Sequence, residues 1–96
     1  MINVGIVDDH AIVRSGLRQF LSEHVDLRVV GEAANGREAI DLVHQQDIQV
    51  LVMDLAMPGR SGIDVLAQLR AKAPHMGILV LSGYPEEHYA ISLIRQ

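Results

Sequence analysis

The sequence predicts an α/β fold built on a parallel sheet. Short apolar, β-branched runs alternate with longer amphipathic stretches four times along the chain. That alternation implies right-handed βαβ units. Three of the four runs are apolar almost throughout, as strands are when helices cover both faces of their sheet. Length permits one domain, because 96 residues lie at the lower end of the usual range of about 100–150.

The elements follow in order. Ile2 to Val7 is β-branched and stops at Asp8-Asp9, a first strand. From Ala11 to His24 the residues Val13, Leu17, Phe20 and Leu21 mark one helical face. Leu27 to Ala34 reads as a second strand, interrupted by Arg28 and Glu32 and so suited to a sheet edge. Asn35 offers an N-cap, and Glu38 three residues later completes a capping-box-like start to a helix reaching about Gln46. Val50 to Asp54 is the third strand, followed by a loop from Leu55 to Ser61. Gly62 to Ala73 carries Leu66, Leu69 and Ala73 on one stripe, and Pro74 closes it. Ile78 to Ser82 is the fourth strand, and the segment from Glu86 onward reads as helical. With the charged second strand at an edge, the order 2-1-3-4 satisfies the pattern. It opens the flavodoxin-like order, with the fifth strand missing.

Composition excludes several function classes. A formal net charge of −4 and 3% aromatic residues argue against a basic or base-stacking nucleic-acid binder. Cysteine is absent, which removes thiol nucleophiles, thiolate metal sites and disulfides. No apolar run approaches the ~18–20 residues of a membrane span. The opening MINVGIVDDH has no basic stretch or cleavable apolar run, so a cytoplasmic location without membrane contact is expected. No Gly-x-Gly-x-x-Gly or Walker motif is present, and the histidines lack an i, i+4 metal spacing.

The acids fall where such a fold does its chemistry. Ligands of open α/β sheets bind beyond the carboxyl ends of the strands, at the point where strand order reverses. Asp8 and Asp9 end strand one and Asp54 ends strand three, neighbours in a 2-1-3 order. Ser82 ends strand four, one place further along. Three carboxylates brought together repel, and a hard cation such as Mg²⁺ relieves the conflict while keeping waters and accepting phosphate oxygens. A carboxylate beside it can attack a phosphoryl group and form an acyl phosphate, with Ser82 and backbone N–H groups as donors. His10, next to the acids, is read as a surface residue near a helix start.

Asp8-Asp9, Asp54 followed by Pro58 and Gly62, and then Ser82 resemble the receiver domains of two-component response regulators. The stretch DDHAIVRSGLRQFL is similar to the subfamily whose receiver precedes a LuxR-type helix-turn-helix output domain. The resemblance implies that Asp54 accepts a phosphoryl group from a sensor histidine kinase. It implies that Asp9, Asp54 and the Ala56 carbonyl bind Mg²⁺ directly, that Asp8 acts through water, and that Ser82 is the switch hydroxyl. DNA would be reached only through an output domain outside this chain, and catalysis would be limited to self-phosphorylation and self-dephosphorylation. Receivers carry a lysine after a fifth strand, whereas the only lysine here is Lys72. Residues 1–96 are therefore expected to be a receiver truncated at its C-terminal side. Its exposed fourth strand, and the sheet face left bare by a missing last helix, would promote self-association, with Tyr89 to Ile94 folding back over that gap or exchanging with a partner. The alternatives are a docking module that works without phosphorylation, and a Mg²⁺-dependent aspartyl-phosphate phosphohydrolase. The latter would need an acid where Ala56 stands.

Overall fold

The structure, a computed structural model, describes residues 1–54, 62–83 and 89–94, with side chains described as far as residue 54 and from 64 to 81. The elements are β1 (Ile2–Val7), α1 (Ala11–Ser22), β2 (Leu27–Ala33), α2 (Gly36–Gln45), β3 (Val50–Asp54), α3 (Gly62–Lys72), β4 (Gly77–Gly83) and β5 (Tyr89–Ile94). The parallel strands take the expected order β2-β1-β3-β4, with β2 at the edge.

Side chains along the central strands alternate between two apolar layers, as a period of two requires. Leu51 and Met53 of β3, with Ile78 and Val80 of β4, join Val65 and Leu69 of α3 and Ala39 of α2 in the main core. Val52 and Leu81 face the opposite way and, with Val4, meet Leu17 and Leu21 of α1. The two faces are unequally covered. The α2–α3 face seals its core, whereas α1 contributes no fully buried residue. Phe20, expected on the packed stripe of α1, is instead 59% exposed. Its ring meets that of His24 edge-on, at 5.3 Å between centroids.

Local chemistry explains the boundaries. Asn35 caps α2 by accepting from the Glu38 N–H at 2.9 Å. Glu38 returns a bond to the Ala34 N–H at 2.8 Å, one residue before the position a strict capping box would use. Close approach of α2 to α3 needs Gly36, since a Cβ there would lie 2.5 Å from Val65 Cγ2. A bulge in β2 between the partners of Val4 and Gly5 sets Glu32 opposite Ile6, on the α1 side of the sheet. There Glu32 receives Arg14 and Arg18, so the charge that interrupts β2 is paired at the edge.

Beyond β4 the sequence expectation needs correction. Residues 89–94, read as helical and with no fifth strand foreseen, form β5 antiparallel to β4, with Ser82 opposite Ala90 and Ile78 opposite Ile94. The helical reading of residues 86–88 and 95–96 lies outside the described residues. The outer edge of β4 would otherwise leave backbone N–H and C=O groups without partners, and pairing satisfies them. Tyr-Ala-Ile-Ser-Leu-Ile also has the β-branched and aromatic content that a strand favours.

Candidate functional site

Strand register brings the acids together. Val7 of β1 lies opposite Met53 of β3, so Asp8 and Asp54 follow side by side at the carboxyl end of the sheet. Asp8 extends the β1–β2 pairing by donating its N–H to the Ala33 carbonyl at 3.0 Å. Asp8 and Asp54 are both buried, 2% and 6% exposed. A buried carboxylate is costly unless it is bonded or meets a cation.

Asp8 is held from several sides. Its Oδ1 accepts the His10 N–H at 2.8 Å and faces the His10 Nδ1 at 2.9 Å. Its backbone carbonyl accepts from Arg14 Nη1 at 2.6 Å. Arg14 reaches Glu32 as well, at 3.2 Å, and so ties the acidic turn to both α1 and β2. Asp9 is different. Its Oδ1 lies 3.0 Å from the same imidazole nitrogen, yet it is buried from solvent without a hydrogen-bond partner. A buried orphan acceptor in a carboxylate cluster fits a cation.

One ligand atom from each of Asp8, Asp9, His10 and Asp54 lies within 4.8 Å of the others. The acids pull on His10, whose pKa is raised above its ordinary 6.5, first by the hydrogen bond it makes to Asp8 and then by the charges of Asp9 and Asp8. The structure thus brings together the three carboxylates the sequence singled out. Ser82 sits on β4 one residue beyond Leu81, which pairs with Asp54; its side chain lies outside the described residues. Ala56 and Pro58 lie outside them altogether. Lys72 ends α3, which runs back toward the amino ends of the strands, away from the acids. Sequence reasoning missed two neighbours, His10 and Arg14. The signals were an Asp-x-His turn and an arginine six residues after Asp8.

Residues 4–96 match the family model of the response regulator receiver domain. The chain is 35% identical over 94 residues to the uncharacterized transcriptional regulatory protein YhcZ of Bacillus subtilis, covering 98% of this chain and 44% of that protein. Against the nitrate/nitrite response regulator NarL of Escherichia coli it is 35% identical over 91 residues, covering 95% of this chain and 42% of NarL. For the response regulator VraR of Staphylococcus aureus the figures are 37% over 86 residues, 90% and 41%. The chain therefore spans less than half the length of these relatives. Among solved structures, the receiver domain of RcsB from Salmonella enterica, obtained with the phosphomimetic BeF3−, superposes with a TM-score of 0.81 at 34% identity, covering 88% of this chain and 63% of that one. The response regulator domain of CheB from Thermotoga maritima gives 0.82 at 34% identity, with 94% and 66% covered. The register-set acidic cluster and these matches converge: the chain belongs to the receiver-domain family of response regulators.

Proposed function

We propose that Asp54 accepts a phosphoryl group from a phosphohistidine of a sensor kinase, with Mg²⁺, and that the change in charge controls a LuxR-type DNA-binding output domain. The observation that carries this reading is the placement of Asp54 at the carboxyl end of β3, buried and beside Asp8 and Asp9. Membership of the receiver family and the transcriptional regulators among the relatives support it.

The residues divide the work. An Asp54 carboxylate oxygen forms a bond to phosphorus while the N–P bond of the donor breaks and the donor imidazole departs. Asp9 and Asp54 would hold the metal with the Ala56 carbonyl, and Asp8 would act through water. When bound, Mg²⁺ neutralises charge that builds on the phosphoryl oxygens. Ser82 donates to those oxygens once the acyl phosphate exists, and so reports it. Phosphorylation adds about −1.5 to −2 charges, and the output follows only as far as two conformations bind that charge differently. The domain's catalysis is limited to its own phosphorylation and hydrolysis, in the cytoplasm.

Intact mass after incubation with a small acyl-phosphate donor and Mg²⁺ tests the reading. The expected result is a gain of one phosphoryl group that Asp54→Ala abolishes; a gain that survives Asp54→Ala places the nucleophile elsewhere.

A further inference from the structure

The acidic cluster contains a donor to which the phosphoryl chemistry assigns no task. His10 Nδ1 stands 2.9 Å from Asp8 Oδ1 and 3.0 Å from Asp9 Oδ1. Around a small divalent ion with bonds of about 2.1 Å, neighbouring ligand atoms of an octahedron lie about 3.0 Å apart and opposite ones about 4.2 Å. The Asp9 separation, to a carboxylate read as a direct ligand, matches the neighbouring-ligand spacing; the Asp8 separation is the hydrogen bond that positions the ring. The full spread of 4.8 Å exceeds the opposite-ligand spacing by only about 0.6 Å, a closure that side-chain rotation supplies.

We propose that His10, through Nδ1, is a further ligand of the metal at this site and shifts its preference from Mg²⁺ toward divalent transition metals such as Mn²⁺ and Co²⁺. The inference deepens the reading of this cluster as the metal site and rests on it. Carboxylates and carbonyls suit hard ions, whereas imidazole favours first-row transition metals and adds little for Mg²⁺. Two features prepare the ring. Its own backbone N–H is anchored on Asp8 Oδ1, which fixes the turn that presents it. Its side chain is 63% exposed, so the ring is open to a hydrated ion from solvent. Beside it, Asp9 Oδ1 offers a buried lone pair that no hydrogen bond uses. Nδ1 exchanges its proton for the metal, and that proton goes to water.

The experiment measures Mg²⁺, Mn²⁺ and Co²⁺ affinities by calorimetry on the wild-type chain, His10→Ala and Asp9→Asn, together with paramagnetic shifts of the His10 ring protons in Co²⁺. His10 is exposed, so its replacement leaves the fold intact, and circular dichroism checks this. The expected result is that His10→Ala weakens Co²⁺ and Mn²⁺ binding by roughly tenfold or more, the scale on which even outer-shell partners act. Mg²⁺ binding changes by less than about twofold, as expected for an ion that draws on oxygen ligands, and the His10 ring protons shift strongly in the wild type. An unchanged ratio of Co²⁺ to Mg²⁺ affinity with unshifted His10 protons, while Asp9→Asn still abolishes binding, overturns the role of His10 and leaves the site standing. Asp9→Asn without effect on any of the three ions overturns the metal site itself.

Discussion

Replacing Asp9 by Asn will strengthen the metal-free fold and weaken the metal-bound one. Asp9 belongs to a cluster of three carboxylates whose ligand atoms lie within 4.8 Å. At that distance two unit charges in an effective dielectric of about 20 repel by ~3.5 kcal/mol. His10 offsets part of this, because its hydrogen bond to Asp8 and the nearby charges favour its protonated form. Water screens a further part, since the Asp9 side chain is 24% exposed. A net gain of about 1 kcal/mol is expected on neutralising Asp9 without metal. Mg²⁺ at about 100 times its dissociation constant stabilises a binding-competent fold by ~2.7 kcal/mol. The two proteins should therefore exchange rank. In urea unfolding at pH 7 with a chelator, Asp9→Asn has the higher midpoint; with Mg²⁺ at that concentration the wild type overtakes it by up to roughly 1.7 kcal/mol. A variant that is weaker in chelator, or that responds to Mg²⁺ as the wild type does, refutes the reasoning.

Three further outcomes follow from the same contacts. His10 should titrate above 6.5, and Asp8→Asn should bring it down, read from the imidazole proton shifts. A raised folded pKa means that the stability from this contact is full below pH 6.5 and fades as pH rises through the raised value, relative to His10→Ala. Gly36→Ala should destabilise by ~1–3 kcal/mol, because its Cβ meets the stiff, β-branched Val65. Gly31→Ala should cost less, since its Cβ meets only the rotatable end of Leu42, and thermal unfolding compares the two. Arg14→Ala should cost about 1.5 kcal/mol by removing a charge-assisted bond to the Asp8 carbonyl. Arg14→Lys should not restore it, because one ammonium cannot reach both Asp8 and Glu32; the same unfolding assay decides.

The parallel sheet was legible because its signals are local. Val50 to Asp54 and Ile2 to Val7 can be little other than buried strands, and Asn35 with Glu38 announces α2. The convergence of Asp8, Asp9 and Asp54 followed from strand order alone, once β2 was assigned to an edge. What escaped depends on contacts between distant residues. Tyr89 to Ile94 takes its form from the unpaired edge of β4, and a short apolar run carries no mark of that. Phe20 sits at the margin of the α1 stripe, and its exposure depends on what packs beyond it. His10 looked like a surface residue and is one by exposure, but a turn of the chain aims its Nδ1 at two carboxylates.

The most direct measurement of the central claim locates the phosphoryl group. After incubation with Mg²⁺ and a phosphodonor, an acyl phosphate is reduced by borohydride to an alcohol, and peptide mass spectrometry then identifies the altered residue. Asp54 is expected to be the one converted, with Asp8 and Asp9 intact and no conversion when donor or metal is omitted. Conversion at Asp8 or Asp9, or phosphate found on a histidine, would contradict the account.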